Sequence, residues 1–247
     1  MPTSEMKTSM RASLLALGAM TALGCGGSPA PEETTTAART TRRASPTASE
    51  PSHNDGVQIE GLMGTISQQQ VNQTLQPRVQ GFGACFSQGA GVDFLGGDIR
   101  MSFRIHTDGT VAWVYPSTTT IGHRGVERCI TDRAQGLHFP RPRGGEAEFT
   151  WGFGYDAPTD IRAPLVWDTN RIAGTLATNA APLTASCGGQ RGFHVTAYVT
   201  TGGTVIASGA AATTPEGAAQ LDCVSAGVAR WTFPDPGSYP AKVTFDL

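Results

Sequence analysis

"GTVAWVYPSTTTIGHRGVERCITDRAQGLHFPRP" (109–142) and "GTVIASGAAATTPEGAAQLDCVSAGVARWTFPDP" (203–236) align without a gap. Both open on Gly-Thr-Val, carry Thr-Thr and one Cys, and close on Phe-Pro-x-Pro. Almost nothing else is kept between them. A spacing preserved over a changed surface marks a repeated fold rather than a repeated chemistry.

Reading outward from the first copy, Ile66, Val71, Leu75, Val79, Phe82 and Cys85 recur near helical spacing across 65–86, with Pro77 as a kink or interruption. "DIRMSFRI" (98–105) alternates, Ile99, Met101, Phe103 and Ile105 against Arg100, Ser102 and Arg104, which predicts a strand with one wet face. Asp108-Gly109 supplies a tight turn into a second strand. Val126, Cys129, Ile130, Ala134 and Leu137 then share one helical face, stopped at Phe139-Pro140, and "EAEFTWGF" (146–153) reads as a third strand. The second copy repeats the order. A helix over 169–187 is weakened by Gly174 and Pro182, and strands follow at 193–199 and from Thr204. A helix capped by Thr214-Pro215-Glu216 precedes a last strand at 240–247. The expected class is α+β: two tandem αββαβ units, 59–158 and 163–247. Each would be a three-stranded antiparallel sheet with two helices on one face and one disulfide.

Composition excludes some partners. Charged residues are 15% of the chain and the net charge is −2, which gives no push toward nucleic acid. The 39% hydrophobic content suffices for packed cores, and Gly 31 with Pro 16 implies many turns and an unstructured stretch.

The amino terminus reads as a processing signal. Lys7 and Arg11 precede an apolar run, Leu14 to Leu23, about half the ~20 residues that span a bilayer. Ala22-Leu23-Gly24-Cys25 resembles the lipobox of bacterial lipoproteins, with Ala22 where that family usually carries a branched aliphatic residue. The resemblance implies cleavage before Cys25 and acylation of it, and Gly26 in place of Asp points to the outer membrane. Each buried CH₂ would contribute ~0.8 kcal/mol to anchoring. Residues 26–58, rich in Thr, Ala, Ser and Pro, bury too little to offset their ordering entropy and read as a disordered tether.

Four cysteines remain after Cys25. Each unit places one at the end of its first helix and one in its second, so Cys85 should pair with Cys129 and Cys187 with Cys223. No Cys-x-x-Cys and no clustered His point to redox or metal chemistry.

The first unit resembles the TonB-like carboxy-terminal domain, closest to the Cys-containing version at the ends of the AgmX/PglI gliding-motility proteins. The likeness rests on "DIRMSFRIHTDGTVAWVYPSTTT" and "VERCITDRAQGLHFPRPRGGEAEFTWGF" and covers roughly 62–156. In 165–247 it is carried by Gly203-Thr204-Val205, Cys223-Val224 and Phe233-Pro234, without the Gly-Gly that follows Phe-Pro in the first unit. It implies a periplasmic interaction module that adds an extended peptide to a sheet edge. The third strands are the nominated edges, with Glu146, Glu148 and Thr150 in one unit and Lys242, Thr244 and Asp246 in the other. Unlike TonB, the chain shows no segment to reach an inner-membrane motor.

Catalytic patterns are not found: Gly-x-Ser-x-Gly, His-Glu-x-x-His and the Walker loop are absent from the sequence. His106 with Asp108 reads as turn chemistry, His123 and His138 as residues flanking a helix, and Trp113, Trp151 and Trp231 as core. The expected function is therefore non-enzymatic, without cofactor, metal, nucleic acid or small-molecule substrate. It is a lipid-anchored, periplasm-facing envelope protein binding a protein partner or another envelope component. The alternative is a structural or accessory lipoprotein with no peptide ligand. Metabolic labelling with a fatty acid should mark the wild-type chain and not Cys25→Ser; equal labelling would remove the anchor from this reading.

Overall fold

A computed structural model describes residues 64–247. The leader and Cys25, the tether at 26–58 and the first residues of unit one (59–63) lie outside the described residues.

Ser67 starts α1 (Gln68–Leu75) with a capping box: its Oγ accepts the amide of Gln70 at 3.2 Å, and Gln70 Oε1 accepts the amide of Ser67 at 3.1 Å. Val71 and Leu75 turn inward. Pro77 breaks the pattern, and the chain tightens through the 3-10 turn Gln76–Arg78 into α2 (Val79–Gly83) and a further 3-10 stretch, Ala84–Gly89, carrying Cys85. The hairpin β1 (Gly97–Ile105) and β2 (Val111–Thr119) follows, closed by Asp108, whose Oδ1 accepts both the amide and the hydroxyl of Thr110. Next come α3 (Arg124–Gln135), capped by His123, and β3 (Ala147–Tyr155). The sheet order is β2-β1-β3, antiparallel throughout. Met101 lies opposite Trp151 and Phe103 opposite Phe149, and these side chains form a core with Leu75, Phe82, Ile130 and Phe139.

The second half has one strand more than expected. β4 (Leu165–Trp167) runs parallel to β7 (Ala241–Asp246), giving the order β4-β7-β5-β6 with β5 (Phe193–Val199) and β6 (Val205–Ala212). A three-residue strand carries too little alternation to register in a sequence pattern. It is held instead by a non-local bond, Leu165 N–H to Pro240 O at 2.9 Å. A 3-10 turn (Thr169–Ile172) and α4 (Ala173–Ser186) come next. Thr214 caps α5 (Pro215–Ala218), which leads to α6 (Leu221–Val228).

The geometry explains what the two copies share. Gly109 and Gly203 sit at hairpin turns with φ of 98° and 79°, a region that favours glycine. A Cβ at either would lie 2.1 Å from Phe139 O or 2.0 Å from Phe233 O. The carbonyl of each glycine accepts the amide of that phenylalanine, at 2.8 and 2.9 Å. The Phe-Pro after the helix thus returns to the hairpin, and the phenylalanine ring enters the core. The disulfides Cys85–Cys129 and Cys187–Cys223 each clip the end of the first helical segment to the second helix within one half, as the repeat required.

The halves meet through their second strands. β2 packs against β6, but the two sheets stay separate. Arg128 and Asp222, which occupy matching places in the repeat, pair with each other, and Arg124 Nε bonds Asp222 Oδ1 at 2.7 Å. Tyr198 donates to Gly96 O at 3.4 Å and Thr196 Oγ1 to Thr119 O at 3.3 Å. Strand alternation sets Thr196 and Tyr198 opposite the apolar face of β5, yet both are buried, because the 94–97 segment and the turn at Gly122 rest on them.

At the centre of this seam Glu127 is fully buried. Its carboxylate accepts the amide of Ala210 at 3.0 Å and the Thr119 hydroxyl at 3.0 Å. Gly209 makes the approach possible, since a Cβ there would lie 2.1 Å from Glu127 Oε1. Burial pushes the Glu127 carboxyl up to about 7, against the pull of Arg124 and of the donated hydrogen bonds. In the unfolded chain it would titrate near the ordinary 4.5, so between these values the native state holds the extra proton. Stability therefore rises as pH falls from above 7 toward 4.5 and is lower above 7, by up to ~3 kcal/mol. Glu127→Gln, which mimics the protonated acid, should flatten that slope in denaturant melts at pH 5 and pH 8. An unchanged slope would mean that another group titrates. Separately, Cys187→Ala/Cys223→Ala should lower stability by ~2–4 kcal/mol in the same melts.

Candidate functional site

The outer edge of β3 is open. Backbone groups of the even-numbered residues of β1 point to β2: His106 N–H bonds Thr110 O, and Asp98 O accepts from Thr120 N–H. The odd residues of β1 therefore pair with β3, through Ala147, Phe149, Trp151 and Phe153. That parity leaves the amides and carbonyls of Glu148, Thr150, Gly152 and Gly154 pointing away from the sheet. No strand pairs with them among the described residues. Edges of this kind accept an added strand.

The edge is held stiffly from behind. On its core side the Trp151 and Phe153 rings pack on Phe82, with centroids at 6.2 and 5.5 Å, and Tyr155 stacks on Phe86. Beside the edge lies a cleft of about 580 Å³. Gln68 and Asn72 of α1 form one wall, the Thr150–Gly154 run of β3 another, and Asp98 and Arg100 contribute from β1. Gly152 and Gly154 stand opposite Arg100 and Asp98 and add no side chains to this face. A side chain at 152 would press on Ile99 O at 2.6 Å, and one at 154 on the Asp98 carboxylate at 2.6 Å. The bare, wet face thus leaves the backbone accessible to a strand laid along it.

The nominated residues divide between the halves. Thr150 and Glu148 are exposed on the open edge. Glu146 stands at its head, where its carboxylate accepts from Arg104 Nε at 2.7 Å and meets His106 Nδ1 at 2.6 Å. The His106 hydrogen bond, helped by Arg104, holds the Glu146 carboxyl below its usual range. The expectation of an open β7 edge is corrected in part: Lys242 lies behind β4, while no strand pairs with the outer side of Thr244 and Asp246 among the described residues. β4 covers Ala241–Val243 and the Thr169–Ile172 turn packs against the same strand. Lys242 is engaged inside the seam, its Nζ donating to Gly96 O at 3.2 Å and lying 5.3 Å from the Tyr198 ring centre. Burial lowers its pKa against the pull of Asp98. Thr244 bonds Thr196 at 2.9 Å, and Asp246 meets His194 Nδ1 at 2.7 Å.

Sequence reasoning missed Gly152 and Gly154, whose signal was the alternation Trp-Gly-Phe-Gly in the strand. It missed the His106–Glu146 contact altogether, since the two are brought together only by β1–β3 pairing. His123 caps α3 through its Nδ1, at 3.3 Å from the Val126 amide, and its pKa is lowered by burial. His138 is exposed, and Trp151 and Trp231 are buried with Trp113 packed against the second core. Among the described residues, no group of three or more His, Cys, Asp or Glu is placed to hold a metal ion, and no helix is long and apolar enough to cross a membrane.

Comparison with protein-family models, with curated proteins and with solved structures finds no match. Functional argument therefore rests on the site itself.

If the aromatic backing sets the stiffness of this edge, Phe82→Ala should cost ~3–5 kcal/mol of stability and speed amide exchange along β3. Exchange at β3 unchanged in the variant would show that the backing is not needed.

Proposed function

We propose that the chain is a lipid-anchored protein of the cell envelope that binds an extended peptide of a partner protein along the outer edge of β3. The observation that carries this reading is the position of the seam. The halves join through β2 and β6 and leave the third strand of the first half open, while β4 shields that of the second. The first half offers the long edge, nine residues of β3 against three of β4 in the second, and the second half buttresses it.

The chemistry of such binding is backbone to backbone. The partner strand would pair with the outward amides and carbonyls of Glu148, Thr150, Gly152 and Gly154, which gives affinity with little demand on its sequence. Selectivity would come from alternate side chains. Those on one face of the added strand meet the wet face with Arg100 and Thr150. Those on the other meet the rim of Trp151 and Phe153 near α1. The TonB-like resemblance supports the same mode of binding, and the acylated Cys25 would hold the module at the membrane surface. The reading assigns the protein no catalytic step, cofactor or nucleic acid.

The competing reading is a structural lipoprotein without a peptide ligand, and one substitution separates the two. Proline is tolerated at an edge where the lost N–H faces solvent, so Thr150→Pro should fold normally yet lose the central donor of the edge. Cross-linking in envelope extracts should give one stoichiometric partner with wild type and at least about tenfold less with Thr150→Pro. Equal capture by both would place binding elsewhere, and no partner at all would favour the structural reading.

A further inference from the structure

Charges on the wet face of the first sheet fall into two groups. At the head of β3 they answer one another: Arg104 Nε meets Glu146 at 2.7 Å and Arg104 Nη1 meets Glu148 at 3.7 Å, while His106 meets Glu146 at 2.6 Å. Toward the tail they do not. Arg100 and Asp98 are both exposed, and neither forms an ion pair among the described residues. The charge of Asp98 reaches Lys242, whose Nζ is already committed to Gly96 O at 3.2 Å.

Both of these free charges stand beside a glycine. Across β1–β3, Arg100 pairs with Gly152 and Asp98 with Gly154, whereas Ser102 faces Thr150 and Arg104 faces Glu148. Paired residues share a face of the sheet, so at 152 and 154 no β3 side chain stands between β1 and the outer edge. A strand added to β3 would lie about 10 Å from β1, two strand spacings away. Long side chains meeting above a bare glycine span that distance. The Asp98 carboxylate already leans into its lane, since a Cβ at 154 would lie 2.6 Å from Asp98 Oδ1.

We propose that the peptide taken up at the β3 edge carries an acidic residue opposite Gly152 and a basic residue opposite Gly154, recognised by Arg100 and Asp98. The proposal rests on the β3 edge being the peptide site and names the chemistry of the partner. Backbone pairing along a glycine-rich strand specifies register weakly, and the two charges select one register. A slide of two residues one way would set the acid opposite Gly154, against Asp98, and like charges across a sheet oppose pairing. A slide the other way would set it opposite Thr150, away from Arg100. The alternate residues of the peptide fall on the side of Trp151 and Phe153, where apolar side chains suit. A second copy of this chain fits the same edge poorly. With two β3 edges fully overlapped and antiparallel, Glu148 of one copy lies opposite Gly154 of the other, on the side of its Asp98.

Amide-shift titration by NMR on the full chain in detergent tests this, with two end-blocked peptides as probes: Thr-Val-Lys-Val-Glu-Val-Thr and Thr-Val-Lys-Val-Lys-Val-Thr. Laid antiparallel, the first sets its lysine opposite Gly154 and its glutamate opposite Gly152. Both peptides should move the amides of Thr150, Gly152 and Gly154. Wild type should bind the mixed-charge peptide about three- to tenfold more tightly than the all-lysine one. Arg100→Glu, a substitution on the exposed face, should reverse that order, and ~0.5 M salt should shrink the preference in both chains. Equal affinities in wild type, or an order that Arg100→Glu leaves unchanged, overturn the charge pairing and keep the edge as the peptide site. No shift along β3 with either peptide removes the edge and the pairing with it. Shifts there that vary with protein concentration before peptide is added would assign the edge to a second copy and overturn the proposal.

Discussion

The buried carboxylate of Glu127 fixes how the two halves sit, and the exposed chemistry of the molecule follows from that placement. It arrives on the first turn of α3, crosses the seam, and accepts the amide of Ala210 on the edge of the other sheet. An unpaired amide at a buried strand edge is costly, and so is an unpaired buried carboxylate. Each satisfies the other, and Thr119 satisfies part of the remainder. Because Gly209 is the only residue type that admits the carboxylate so closely, register across the seam has little freedom. The neighbouring Arg124, Arg128 and Asp222 form an ion-pair cluster at the surface of the same seam. Burial pushes the Asp222 carboxyl up, but the hydrogen bonds and charge of the two arginines outweigh it and leave the group below its ordinary range.

A consequence is that the repeat is symmetric in its fold and asymmetric in its edges. Each half closes its own core with a disulfide and with a phenylalanine returned to its hairpin. Both second strands are consumed by the seam. Of the third strands, β7 is shielded by β4, and its Lys242, Thr244 and Asp246 are engaged with neighbours. Among the described residues β3 keeps a nine-residue outer edge with no neighbouring strand, whereas β4, the outermost strand beside β7, has three residues. Natural sheets blunt such edges with charge, bulges or cover; this one carries a charge at Glu148 and continues with a threonine and two glycines. The uncharged stretch supports the proposed pairing there.

Much of this was legible in the sequence because it is local. Strict alternation in "DIRMSFRI", the Asp-Gly turn, the cap at Thr214 and the helical spacing around Cys129 depend on residues a few positions apart, and each element stands where its pattern lies. The cystine pairing followed from the repeat, since equivalent cysteines in equivalent units must meet equivalent partners. Pro77 marked an interruption, and the helix does break there.

Other features depend on groups far apart in the chain and on what remains unpaired once the sheets close. Glu127 reads as an ordinary acidic residue in a first helical turn until β6 is placed against it. His106 and Glu146 meet only through the β1–β3 register, and β4 is held by its parallel pairing with β7 and the Leu165 N–H bond to Pro240 O. The sequence alone determined the order of elements apart from β4, the two cystines and the α+β class, because periodicity and spacing are short-range properties. Which strand edge stayed open was decided by tertiary structure, because an edge is defined by the strands that do not reach it.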